Sequence, residues 1–276
     1  MYPQQLFSCI TPFARSNVVF VVMPFAPDFE PRWKTVLYPA ISSVTANEGQ
    51  LAPYRVDARS VSDPVATEIL RHISSARLVL CDITAVEEYE GRWIRNGNVM
   101  YEVGLAHAVR HPQEVLLFRS DDEPLLFDIA SVKVNTYDPD GNPEEAIQRV
   151  VATITDALHE IDLERSIVVQ RSAESLDLIA WDLLASVEDY IEHPVIRTAE
   201  DFLSKIPMVN AITNMLWLGI LRTEWIDVAP EEFARIRNEA LEKVARYRVT
   251  PLGKAVQSFR LQRLRAVPEL ERGRLT

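Results

Sequence analysis

The chain has 276 residues, 47% hydrophobic and 25% charged, with a net charge of −11. That is the composition of a globular protein long enough for one large domain or two modest ones. The acidic balance excludes bulk attraction to nucleic acid or an anionic membrane, and two cysteines, Cys9 and Cys81, exclude a disulfide framework.

No basic leader precedes a long apolar core, and no apolar run is long enough to span a bilayer, so a cytoplasmic protein without a membrane partner is expected. Val18-Val19-Phe20-Val21-Val22 is a continuous β-branched run, the signature of a strand covered on both faces. It ends at Met23-Pro24-Phe25. A helix follows from Arg32 to about Thr45, interrupted or re-entered at Pro39. Leu51 to Val56 is a weaker second strand, and Ser62-Asp63-Pro64 caps a helix over Val65 to Ser75. Leu78 to Ile83 is a third strand, apolar until Asp82. A polar loop, Thr84 to Gly97, leads into a helix expected to be capped by Asn98. In that helix Gly104, Ala106 and Ala108 are expected to permit close packing. A fourth strand spans Glu114 to Phe118, a loop holds Phe127-Asp128, and Val132 to Asn135 is a short fifth strand. Asp138-Pro139-Asp140-Gly141 is a turn, and Pro143 opens a helix to roughly His159.

Strands alternating with helices predict a doubly wound α/β domain over residues 1–162, with a flavodoxin-like parallel sheet of five strands in the order 2-1-3-4-5. That order reverses between strands 1 and 3, so a ligand crevice is expected outside their carboxyl ends. The loops Met23-Pro24-Phe25 and Asp82-Ile83-Thr84 flank it, and Glu102, a lone acid in an apolar helix, falls at its rim.

Beyond about residue 165 strand signals vanish. Ser175 to Ile191 has helical spacing, Pro194 and Pro207 punctuate the chain, and Ile212 to Leu221 is an apolar helix. Tyr247 to Ala255 reads as a short strand, a Thr-Pro helix start and a new helix. Residues 163–276 are therefore expected to form a mainly helical domain. Residues 1–160 carry 13 Lys and Arg against 22 Asp and Glu, and residues 161–276 carry 16 against 18. The basic excess is local: residues 243–276 hold nine basic and two acidic side chains.

Val21-Val22-Met23-Pro24-Phe25, Tyr54-Arg55-Val56-Asp57, Asp82-Ile83-Thr84 and the segment Asn98 to Ala108, Asn-Val-Met-Tyr-Glu-Val-Gly-Leu-Ala-His-Ala, occur in order over about half the chain. Together they resemble the bacterial TIR-like and nucleoside 2-deoxyribosyltransferase-like superfamily. The resemblance implies that Glu102 is the catalytic acid in cleavage of an N-glycosidic bond and that Asp82 helps hold sugar or nucleophile. It implies a small-molecule nucleotide as partner, with NAD as substrate and no cofactor, and a link to prokaryotic defence. The segment Val86 to Arg95 exceeds the family's brief link and is expected as a lid or an interface. Tyr247 to Ala255 resembles the wing strand and following helix of winged-helix domains.

The chemistry is consistent with those residue types. Cleaving a ribosyl–nitrogen bond passes through an oxocarbenium-like state that a carboxylate stabilises or captures. Met23, Pro24, Phe25, Asp57, Thr84, Asn98 and Asp128 are the candidate substrate contacts: backbone N–H groups at Asn98 for phosphate, Phe25 or Trp93 as a flat wall for a base. No metal cluster is expected. The bland readings are a Glu102 that favours the helix dipole, a surface ion pair at Arg55 and Asp57, a structural His107, and a Cys81 packed in the core. Two further functions stay open. One is a non-catalytic nucleotide sensor whose winged-helix-like end binds DNA or a protein partner; the other is a nucleoside or nucleotide N-glycosidase, or deoxyribosyltransferase, of salvage. The C-terminal module is otherwise an oligomerisation or sensing unit of a homo-oligomer.

Overall fold

The computed structural model describes residues 15–47, 49–56, 65–125, 129–192, 199–227 and 243–272. The chain divides into two compact units, residues 1–163 and 164–276.

The first unit opens with β1 (Ser16–Val22). α1 (Phe29–Arg32) passes through a π turn, Trp33–Leu37, into α2 (Tyr38–Ser43). That turn explains how a helix tolerates Pro39. The Tyr38 N–H reaches back five residues to the Trp33 carbonyl, and the widened ladder meets the proline in the first turn of α2, where no N–H is needed. A two-residue hairpin, β2 (Thr45–Ala46) and β3 (Gly49–Gln50), precedes β4 (Ala52–Tyr54). Next come α3 (Val65–Ser75), β5 (Ala76–Asp82) and a second hairpin, β6 (Ala85–Tyr89) with β7 (Arg92–Arg95). α4 (Gly97–Val109), β8 (Val115–Arg119), β9 (Val134–Thr136) and the part of α5 (Pro143–Glu174) up to residue 163 complete it. The main sheet runs β4-β1-β5-β8-β9 with every pairing parallel, which is the flavodoxin-like order.

The pleat divides the core in two. Val19 and Val21 of β1, Leu78 and Leu80 of β5, and Leu116 and Phe118 of β8 point to the face covered by α1, α2 and α5. Phe20 and Val22, Val79 and Cys81, and Val115 and Leu117 point to the face covered by α3 and α4. At the opposite end of β5, buried Arg110 donates to the carbonyls of Ile73, Ala76 and Arg77 and pairs with Glu114 at 3.1 Å. It ties the end of α3 to the start of β5.

Three expectations need correction here. The stretch after Thr84 is a hairpin, not a loop; its turn places Glu90 at φ 49° and Gly91 at φ 74°, the two positive values that fit the strands' twist. The helix from Pro143 does not stop near His159, since residues 160–174 contain no glycine or proline and Ile161 still faces the core. Gly104 makes no close approach, because a Cβ there would meet nothing within 4 Å; Ala106 is the small residue that is fully buried.

The second unit is helical with a small antiparallel sheet. α6 (Leu178–Ser186), capped by Asp177, leads to β10 (Tyr190–Glu192), so the helical pattern read to Ile191 ends early. α7 (Ala199–Trp217) stops at Gly219, at φ 71°, with the Gly219 N–H on Leu216 and the Ile220 N–H on Met215, a Schellman closure. β11 (Leu221–Asp227) and β12 (Lys243–Val249) follow, then α8 (Pro251–Arg272). Strand signals thus do not vanish beyond 165: the sheet order is β10-β12-β11. The Thr-Pro-Leu-Gly segment has a packing explanation. The Thr250 hydroxyl accepts from the Gly253 N–H at 3.1 Å, Pro251 fills the first helical position, and a Cβ on Gly253 would lie 2.5 Å from the Ile220 carbonyl oxygen. Among the described residues no helix is long and apolar enough to cross a membrane.

Gly253→Ala must push backbone against backbone. It is expected to cost about 1–3 kcal/mol, read as a lower urea midpoint at unchanged slope.

Candidate functional site

A cavity of about 500 Å³ opens at the carboxyl end of β1, between α3 and the first turns of α4. Its floor is apolar, from Phe20 to Val22 and Val99, and Ile69 and Leu70 of α3 form one wall. Met23, Pro24 and Phe25 line it as the strand ends, and Phe25 is 58% exposed. Asn98, Tyr101 and Glu102 enter from α4. The crevice therefore brings together Met23, Pro24, Phe25, Asn98 and Glu102 of the sequence-derived set.

α4 begins two residues earlier than its sequence implies. The cap is Asn96, whose side-chain oxygen accepts from the N–H groups of Asn98, at 3.0 Å, and Val99, at 3.2 Å. Those two N–H groups are spent on the cap, which corrects the expectation that the helix start at Asn98 offers them to phosphate. The Asn98 side chain remains at the cavity wall.

Glu102 is half-buried, and among the described residues no hydrogen bond or ion pair reaches its carboxyl. Burial alone pushes its pKa up to about 7. Cys81 lies beneath it, and burial first, then the Glu102 and Asp82 carboxyls, hold the thiol in its neutral form. Cys81 is therefore packed core.

Asp82 and Thr84 do not line this cavity. Asp82 follows Cys81 in β5, so the pleat turns it to the other face. There, wholly buried, it accepts from the Thr84 N–H at 3.0 Å, from the Thr84 hydroxyl and from the Tyr137 hydroxyl at 2.7 Å, with Arg32 at 3.7 Å. Burial raises its pKa, and these hydrogen bonds and Arg32 oppose the rise. Thr84 is also engaged by Ser120, whose N–H donates to its hydroxyl at 3.0 Å. Asp57 and Asp128 lie outside the described residues.

Among the described residues the β6–β7 hairpin contributes none to the cavity wall, and Trp93, 50% exposed, does not line it. Its foot is fixed instead by buried Arg95, paired with Asp121 at 3.1 Å and donating to the Ile83 carbonyl. Of the lid or interface expected here, the described residues place no lid in the cavity wall. Tyr101, Leu70 and Ile69 line the cavity and are not among the candidate contacts read from the sequence. Tyr101 had a usable signal: it adjoins Glu102 on a helix whose apolar positions are otherwise directed inward.

Two substitutions separate the acids. Asp82→Ala leaves the Tyr137 hydroxyl and Arg32 without their buried partner and is expected to cost about 3 kcal/mol. Glu102 behaves in the opposite sense. Its folded pKa of about 7 exceeds the ordinary 4.5, so the folded state holds the proton more tightly and stability falls as pH rises through that window. Glu102→Gln should remove that fall, leaving the variant more stable than the parent at pH 8 by on the order of 1 kcal/mol, given partial solvent screening. Urea unfolding at pH 5 and pH 8 reads both.

Compared with protein-family models the chain matches none, and compared with curated proteins it matches none.

Proposed function

We propose that the first unit is an N-glycosidic-bond hydrolase that acts on NAD or a related nucleotide through Glu102. The observation that carries this reading is a carboxyl held in an apolar cavity with no hydrogen-bond or ion-pair partner among the described residues, its pKa raised to about 7. Burying such a group unpaired costs stability, and carboxyls perturbed in this way cluster at functional sites. The cavity's position outside the carboxyl ends of the strands, where the order reverses, supports the same conclusion. Ionised, Glu102 stabilises or captures the positive charge that develops on the sugar as the bond to nitrogen breaks. Protonated, it donates to a departing base. Asp82 then acts at a distance, by bracing the carboxyl end of β5 through Tyr137 and Arg32.

The two protonation states make the leaving group decisive. A cationic base such as nicotinamide departs as a neutral molecule and needs no proton, so the carboxylate is the working form. The value of kcat/KM for NAD should rise with pH and level off above about 7. A neutral base needs the acid form, so a deoxynucleoside monophosphate, the salvage type of substrate, should show a rate that falls above about 7. Glu102→Gln is expected to reduce nicotinamide release by about a thousandfold. NAD and deoxynucleoside monophosphates both left intact by concentrated parent and variant alike would refute the enzymatic reading.

One observation favours a second role for residues 164–276. Among the described residues the succession α6, β10, α7, β11, β12, α8, with β12 central in the sheet, supports reading this unit as winged-helix-like. Three of its arginines, however, are engaged. Arg248 pairs with Glu224 at 2.9 Å, Arg246 sits 3.9 Å over the Tyr190 ring and 3.5 Å from Glu192, and Arg260 stands 4.6 Å over the Trp181 ring. We therefore assign this unit to assembly of a homo-oligomer or binding of a protein partner in preference to DNA. Duplex DNA at low salt should not be retarded, and neutralising Arg246, Arg248 and Arg260 should alter oligomeric mass in light scattering. A salt-dependent shift abolished by those substitutions would restore the nucleic-acid reading.

A further inference from the structure

The mouth of the Glu102 cavity holds a side-chain stack that the reaction above does not use. Phe25 sits on the loop after β1, lines the cavity and is 58% exposed. A phenyl ring so placed, with no neighbour to hold it, would exchange between rotamers, and fixing it on binding would cost entropy. Here it has a neighbour. The Arg55 guanidinium carbon, just past β4, is 5.5 Å from the Phe25 ring centroid and 5.2 Å from that of Trp33. Arg55 is itself held: its Nη2 is 2.6 Å from a Glu30 carboxylate oxygen, its Nη1 is 3.7 Å from the Met23 sulfur, and its side chain is only 15% exposed. The bond from Arg55 is the largest cause of a lowered Glu30 pKa, so the pair stays ionised at neutral pH.

We propose that Arg55 is a positioning residue which, anchored by Glu30, fixes the Phe25 ring as the stacking platform for the planar base of the substrate. The proposal rests on reading the cavity as an N-glycoside site. Planarity is what the position demands. A guanidinium offers an aromatic ring a flat, weakly hydrated face while its edge bonds a carboxylate; an ammonium keeps the charge and the carboxylate but has no face to offer. A base of purine or pyridine type gains from a ring already held in place, because the ordering is complete before it binds. Arg55 thus acts on binding through Phe25, and bond cleavage at Glu102 does not depend on it.

The test uses the full chain with 4-fluorophenylalanine at position 25, in the parent and in Arg55→Lys, with nicotinamide and adenine as probes. In the parent a single fluorine resonance is expected. Arg55→Lys should broaden or split it, weaken affinity for both bases about tenfold, and raise KM for the glycoside about tenfold with kcat within twofold. Glu30→Gln should produce the same fluorine change to a smaller degree, while thermal unfolding of both variants stays near the parent's. An unchanged fluorine line in Arg55→Lys overturns the positioning role even if binding weakens. A freed ring with unchanged base affinity overturns the platform. Bases that bind and respond to Arg55→Lys while no glycoside is cleaved support the platform and remove only the hydrolase reading. A parent that binds neither base overturns both.

Discussion

The pleat of β5 is the constraint on which the first unit depends. This strand is buried along its whole length, paired with β1 on one side and β8 on the other. No register slip is available to it, since a shift of one residue would exchange the side chains of two filled cores. Alternation then fixes everything at its carboxyl end. Cys81 must face α4, and Asp82 must face Tyr137. Two acids that the sequence reading sets in one site are thereby sent to opposite sides of the sheet.

The fates of those acids illustrate how burial and partners together decide a carboxyl's role. Asp82 is buried completely but meets two hydroxyls, a backbone N–H and an arginine, so its desolvation is offset and its geometry is fixed. Glu102 is less buried and has none of these among the described residues. The first arrangement is what a structural brace requires, as any incoming ligand would have to displace bonds already made. The second leaves a group whose proton and charge are free to respond to whatever enters the cavity. Proximity to the crevice in sequence could not separate the two. Hydrogen-bond satisfaction does.

Much of the first unit was legible because its strands are doubly covered. Runs such as Val18 to Val22 and Leu78 to Cys81 have no polar face to confuse the reading, and the crevice follows from the strand order alone. Losses occurred where a local choice is settled by tertiary contact. Asn96 and Asn98 are equally good caps, and only the extended backbone at Asn96, φ −62° and ψ 119°, makes it the one used. The Glu90-Gly91 turn lacks the common Asn-Gly or Asp-Gly pair, so the β6–β7 hairpin reads as polar loop. β11 alternates Leu221, Thr223 and Trp225 with polar residues, a period-two signal obscured because it follows directly on an apolar helix. The Arg55 stack was unreadable for a different reason: Met23, Phe25, Glu30 and Trp33 converge on it only once α1 has folded beside β4.

The second unit carries the same lesson about charge. Nine basic side chains against two acidic ones over residues 243–276 suggest an exposed cationic surface. Strand pairing redistributes that charge. Register sets Arg246 opposite Glu192 and Glu224, and Arg248 opposite Tyr190 and Arg222, so acids from β10 and β11 come to lie across from cations of β12. A linear count therefore overstates the field this sheet presents, because the compensating carboxylates come from about 20 and 50 residues away in the chain, beyond any window that a local charge count would span.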